Sequence, residues 1–241
     1  MPNIFPTSTS HDGYIQNVGL PGASWNAIHD GTTGTTVDAD DTSTKKAIGV
    51  WCTTGRSGSY YIYRAYLLFD TSGISVAPSA ATLKIYGYSS TSGDVIAIEG
   101  TWIGASSLHK DDFNSFTGFA SGWDDGDVTA YSNEVSLWNT SAYNDFTLNA
   151  TALAKMTSAN TLSIVLMNHT HDYLDVTPLS GRSCLTEQNG MYWTEQAGAL
   201  VPFIQYTSGG YANDPLSQDM DDKAHKVNGV SSEDIQRVSG V

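Results

Sequence analysis

Two histidines and several aspartates are the residues of this chain whose types and spacing could do chemistry. His169-Thr-His171 stands beside Asp172 and Asp175. On a strand, positions i and i+2 share a face, so the two imidazoles could clip a metal ion. No third ligand stands nearby in sequence, and the plainer reading is a pair of solvated loop histidines. Two aspartate clusters, Asp38, Asp40 and Asp41, then Asp124, Asp125 and Asp127, sit in glycine-containing loops. Clustered carboxylates on curved backbone could supply the oxygens calcium needs, about six to eight of them, although neither cluster has EF-hand spacing. Loop aspartates also serve turns, the simpler use. A structural calcium is the only cofactor the sequence offers. Gly-x-Ser-x-Gly, His-Glu-x-x-His and phosphate-loop motifs are absent, so no catalytic residue is assigned and no enzyme is expected.

Aromatic side chains offer a different chemistry, stacking on pyranose faces. Trp25, Trp102 and Trp193 are the candidate glycan-binding residues, with Trp123 and Trp138 in similar loop settings. Packing beneath loops or at a subunit interface is the ordinary alternative for each. Tyr61 and Tyr63 share one face of a strand, the usual mark of core or interface packing.

The elements that must position these residues are mostly strands. Segments 46–52, 60–70, 81–88, 94–102, 145–148, 161–167 and 199–206 are rich in β-branched and aromatic residues, and a short strand starts the body near residues 11–17. In 81–88, Leu83 and Ile85 alternate with Lys84 and Tyr86, the period of one buried face. Residues 21–44 have loop composition, and Asp111-Asp-Phe-Asn114 could open a helical turn within the weakly patterned stretch 105–141. Asn149 caps the one credible helix, residues 150–156. Many short strands, one short helix and long loops predict an all-β fold, a two-sheet β-sandwich or jelly roll with an extended C-terminal tail. The domain reading is an N-terminal arm over 1–11, the sandwich over 12–210 and a docking segment over 211–241.

Charged residues make up only 15% of the 241-residue chain, so Ser, Thr, Asn and Gly must supply most of its polar surface. The formal net charge of −14 repels phosphate backbones and anionic lipid, which argues against nucleic-acid and membrane partners. The first ten residues hold neither a basic stretch nor an apolar one, and so read as no signal peptide. That predicts a protein made in a host cytoplasm. The two cysteines, Cys52 and Cys184, accordingly read as buried thiols.

The tail says one unit twice. Basic, Val, small polar, Gly, Val occurs as Lys226–Val230 and recurs 11 residues on as Arg237–Val241. Val227, Val230, Ile235, Val238 and Val241 are too few to bury against one another, so this segment needs a neighbour. The expected partners are copies of the chain, other proteins of the same assembly, or both.

Arg64-Ala-Tyr-Leu-Leu-Phe-Asp70, the turn at Gly73-Ile74 and Ser79-Ala-Ala-Thr-Leu-Lys-Ile-Tyr86 resemble the DNRLRE-type domains. Residues 143–150 and 201–207 extend the resemblance over most of 12–208. The family's namesake string is absent: after Leu166 the chain reads Met-Asn-His-Thr-His-Asp172. The resemblance implies a jelly-roll module of carbohydrate-binding appearance, as found in surface proteins and many phage-encoded proteins. The tail repeat is similar to Val-Asn-Gly-Val segments of phage virion proteins. The expected function is a non-enzymatic bacteriophage structural protein on the particle surface (capsid decoration, head fibre or tail fibre). The alternative is a carbohydrate-binding module or adhesin domain for host surface glycans.

Overall fold

A computed structural model describes residues 1–7, 12–39, 46–54, 58–102, 107–179, 186–196 and 200–209. The chain divides at Ser208–Gly209. The tail residues Val227, Val230, Ile235, Val238 and Val241 lie outside the described residues. Among the described residues no helix is long and apolar enough to cross a membrane.

Among the described residues, eleven strands build the body: β1 (Asn3–Ile4), β2 (Asp12–Val18), β3 (Thr36–Asp38), β4 (Lys46–Cys52), β5 (Tyr60–Asp70), β6 (Ala80–Ser90), β7 (Val95–Glu99), β8 (Tyr143–Thr147), β9 (Thr161–Asn168), β10 (Thr186–Met191) and β11 (Phe203–Thr207). Two short helices, α1 (Trp25–His29) and α2 (Ala150–Ser158), a 3-10 turn, Lys110–Asn114, and a π-helical turn, His169–Tyr173, join them among the described residues. Every strand pairing is antiparallel. The chain is an all-β sandwich.

The smaller sheet runs β1-β11-β6-β8. The larger is centred on β5, which pairs β2 along one edge and, on the other, β4 through its first half and β9 through its second. β6 links the two sheets: Ala80–Lys84 pairs with β11, while Gly87 and Ser90 pair with β10, itself bonded to β4. The sheets face each other across a core of Leu83, Ile85, Phe146 and Ile204 against Leu67, Phe69, Ile164 and Leu166. Asn149 caps α2 by accepting from the Ala152 amide, and the helix adds Ala152 and Met156 to this core.

The larger sheet is also buried on its other face. Ile15, Val50, Ile62, Tyr66, Leu68, Ile96, Ile98, Val165 and Met167 point into a second core, covered by side chains from α1, by Trp102 and by side chains from residues 108–128. Alternation along β5 therefore sends apolar residues both ways, the pattern of a strand buried on both faces. Gly49, at φ +140, marks where β4 changes which face it offers each core: Ile48 joins the first and Val50 the second. A Cβ there would stand 2.0 Å from the Glu187 carbonyl oxygen, so only glycine fits.

Several elements differ from expectation. The opening segment is no free arm: Asn3 and Ile4 pair with β11, Pro6 bridges to Phe69, and the Thr7 amide donates to the Leu68 carbonyl. Residues read as one loop over 21–44 hold α1 and β3. Of the weakly patterned stretch over 105–141, the described residues, 107–141, form a loop layer that returns to β7 through isolated bridges, Val95 to Val135, Ile98 to Ala130 and Gly100 to Phe116. Cys52 is disulfide-bonded, which overturns the reading of two free thiols. Its Sγ lies 3.2 Å from the Leu179 carbonyl oxygen, where the chain beyond the π-helical turn passes the end of β4. Cys184 lies outside the described residues.

Because Ile4 packs against the first core, Ile4→Ala is expected to lower unfolding stability by about 1 kcal/mol. Deleting residues 1–7 should lower it further. Urea denaturation that leaves both midpoints at the wild-type value would return the segment to the status of an arm.

Candidate functional site

Beneath the loop layer, Arg64 of β5 is fully buried. Its Nε and Nη2 donate to the two carboxylate oxygens of Asp172 at 2.9 and 2.7 Å, a bidentate pair. Nη1 donates to the Phe113 carbonyl and Nη2 also to that of His29. The guanidinium carbon lies 4.1 Å from the centre of the Phe113 ring and 5.0 Å from that of Phe116. Burial alone would depress the pKa of Arg64, but the charge and hydrogen bonds of Asp172 outweigh it and raise the pKa instead.

His29 sits beside this pair. Ser24 caps α1 by accepting from the Ala27 amide, and one helical turn then aims Trp25, Ile28 and His29 inward. The His29 ring lies between Trp25 and Trp123, with centroid separations of 5.5 and 4.3 Å. Nδ1 is 2.9 Å from Asp30 Oδ1, and Nε2 is 2.8 Å from the Asp172 carbonyl oxygen. Trp25 Nε1 donates to Asp175 at 2.7 Å. These residue types could serve acid–base chemistry, but they are bonded to one another and to loop carbonyls within packed aromatic rings. Their arrangement is that of a buried clamp.

The histidine pair is not on a strand, and only His169 keeps partial contact with solvent. β9 ends at Asn168, whose side chain accepts from the His171 amide and starts the π-helical turn. His169 stacks on Tyr173 and faces Asp94 at 3.2 Å, while His171 is buried and bonds the Val176 carbonyl. Asp94 ties the β6–β7 connection to this turn by accepting from the Thr170 amide and hydroxyl. Burial alone would raise the Asp94 carboxyl, but the bonds from Thr170 and His169 outweigh it and hold it below the ordinary carboxylate value.

Of the aspartate clusters, Asp40 and Asp41 lie outside the described residues, and Asp38 is half-buried on β3. Asp124 accepts from the Gly126 amide, and Asp127 from that of Asp124, so these carboxylates shape a turn that also contains Asp125. Among the described residues, no group of three His, Cys, Asp or Glu side chains is placed to hold a metal ion.

Burial corrects the expectation that Trp25, Trp102 and Trp193 stack open ring faces on sugars. Trp25, Trp102 and Trp193 are 3%, 5% and 0% exposed, so none presents a ring face to solvent. The large apolar groups of the second core need cover, and loop tryptophans supply it. Trp102 does line the wall of a cleft.

The exposed aromatic chemistry lies elsewhere, on the outer face of the smaller sheet. Phe5, Phe203, Tyr143, Tyr86, Tyr192 and Tyr88 form a continuous band with successive ring separations of 5.8, 5.2, 5.1, 5.6 and 5.5 Å. Most adjacent rings meet edge to face. Phe5 and Tyr88 are 50% and 47% exposed and the others half-buried. Burial, then the neighbouring Tyr86, raises the Tyr143 hydroxyl's pKa, so at neutral pH it remains a hydrogen-bond donor. The signal was present in β6, where Tyr86 and Tyr88 occupy the outward positions that a solvated face gives to charged residues.

Compared with known proteins, the chain matches no family model and no curated sequence.

Arg64→Met, which strands the buried Asp172 charge, is expected to lower stability by about 3–5 kcal/mol in urea denaturation. Adding Asp172→Leu should recover most of the loss; a single variant near wild type would contradict the clamp. The Asp94 carboxyl has a lowered pKa, so its stabilisation is complete above the unfolded carboxylate value and lost as pH falls through the native one. The stability gap between wild type and Asp94→Asn should therefore be widest near neutrality and close in acid. A gap that widens on acidification would contradict the assignment.

Proposed function

We propose that this chain is a non-enzymatic structural protein of a bacteriophage particle, a capsid-decoration, head-fibre or tail-fibre component. In this reading it docks through its C-terminal segment and displays the β-sandwich at the particle surface. The observation that carries the reading is the aromatic band. A closed sandwich has no folding need for six contiguous aromatic residues on the outer face of its smaller sheet, and exposed apolar patches of this kind mark contact surfaces. The sequence-level support is the tail repeat, with apolar residues spaced for docking, and the low charged fraction. The buried bonding of Arg64, Asp172 and His29 supports a packing role for the groups that might otherwise do chemistry.

The band also favours a second reading, a carbohydrate-binding module or adhesin domain for surface glycans. Tyrosine offers sugars both an apolar face and a hydroxyl. The two readings overlap, since a displayed particle protein can hold a host glycan.

Removing residues 211–241 is expected to leave the melting temperature of the body nearly unchanged while abolishing oligomers in light scattering and incorporation into particles. Several tail residues buried on a neighbour are worth about 5–8 kcal/mol gross, less the cost of ordering the segment, and many copies multiply such contacts. A truncated chain that unfolds, or that still assembles as the full chain does, would contradict the docking role.

A further inference from the structure

A cleft of about 280 Å³ opens where β7 ends and β9 begins, with the second half of α2 along one side. Ligand pockets commonly run from about 300 to 1,000 Å³, so this one suits a single ring and not a chain of them. At its mouth the Lys155 ammonium lies 2.8 Å from the Glu99 carboxylate. Because the two charges cancel, neither a free anion nor a free cation gains by entering. The pair instead offers adjacent donors and acceptors, the arrangement that neighbouring hydroxyls match, since each hydroxyl both gives and accepts.

The rest of the lining has the same character. Thr101, Thr117 and Thr161 border the cleft, and Trp102 supplies an apolar wall. Ser163, only 8% exposed, lines it as well, and its Oγ is buried without a hydrogen-bond partner. An unpartnered buried hydroxyl carries a desolvation penalty of about 1–3 kcal/mol, which a bound hydroxyl would relieve. Gly100 lets the Ser163 side chain pack directly over its backbone: a Cβ there would stand 2.3 Å from Ser163 Oγ.

We propose that this cleft binds one neutral pyranose, presented alone or as the terminal residue of a surface glycan. Glu99 accepts from two neighbouring hydroxyls, Lys155 donates to one of them, Ser163 turns about χ1 to bring its buried hydroxyl to a third, and Trp102 packs against the ring's apolar edge. The proposal rests on the glycan-binding reading above and names a site for it other than the aromatic band.

The test titrates the full-length protein, amide signals assigned, with methyl glycosides of mannose, galactose, glucose and N-acetylglucosamine, alongside a glycan array. One of these sugars should shift amides confined to residues 99–102, 117 and 155–163. Glu99→Gln and Lys155→Met should each weaken binding by about tenfold or more. Lys155 is 43% exposed and Glu99 only 14%, so Glu99→Gln, which keeps the size and an acceptor, should leave the melting temperature nearly unchanged, whereas Lys155→Met should lower it slightly without unfolding the protein. Gly100→Ala should abolish binding by displacing Ser163 into the cleft; if that variant unfolds, Thr117→Val gives the same readout from the opposite wall. Binding lost with Tyr86→Ala and Tyr143→Ala but kept in the cleft variants would overturn the cleft and leave the glycan-binding reading standing. No binding by the wild-type protein to any array glycan or methyl glycoside would overturn both.

Discussion

Arg64 and Asp172 hold the rest of the structure to account. A guanidinium cannot be buried between a sheet and its loop layer unless its donors are matched, and here a bidentate carboxylate and the Phe113 and His29 carbonyls receive four of its bonds. Those acceptors come from three separate segments: the π-helical turn, the 3-10 turn and α1. Each must therefore settle against β5 for any of them to be satisfied. The charge does more than add stability, because it fixes where the irregular segments lie on the sheet.

That requirement explains the two-core arrangement. The first core is an ordinary sandwich interior between two sheets. The second has a sheet on one side only, and its other wall is made of loops whose backbone groups cannot pair in a ladder. Such a layer needs bonds that reach across it. Arg64 and Tyr66 both bond the Phe113 carbonyl, Asp30 accepts from the Gly122 amide, and His29 fills the gap between two indoles. With these groups engaged in packing, the body presents outward an aromatic face on the smaller sheet and, where β7 ends and β9 begins, a small cleft bordered by hydroxyls.

Much of the sandwich was legible in the sequence because regular elements announce themselves by period. β5 was readable to the residue, Tyr60–Asp70, β4 likewise, and the Asn149 cap placed the start of α2. The loop layer was not legible. Leu108, Phe113, Phe116, Trp123 and Val128 reach the sheet from irregular backbone, so their spacing has no period to detect. β10 was missed because Thr-Glu-Gln-Asn-Gly-Met looks solvated, yet its place between β4 and β6 buries Gln188 and Asn189. The site was less legible than the fold. Tryptophan in a loop suggested exposure, whereas large rings were needed to cover the second core; the exposed rings were strand tyrosines, whose role depends on which sheet face points outward. Nor could the sequence pair Arg64 with Asp172, since only the fold brings β5 to the turn after β9.

Native-state hydrogen exchange tests the clamp most directly. If Arg64 and Asp172 make the loop layer part of the folding unit, the amides of Gly34, Ser115 and Thr117, bonded within or beneath that layer, should open together with those of β5. Their exchange free energies should then approach that of global unfolding. If those amides exchange through a small local opening while β5 stays fully protected, the loop layer is a loose cover and the buried pair does not organise the structure.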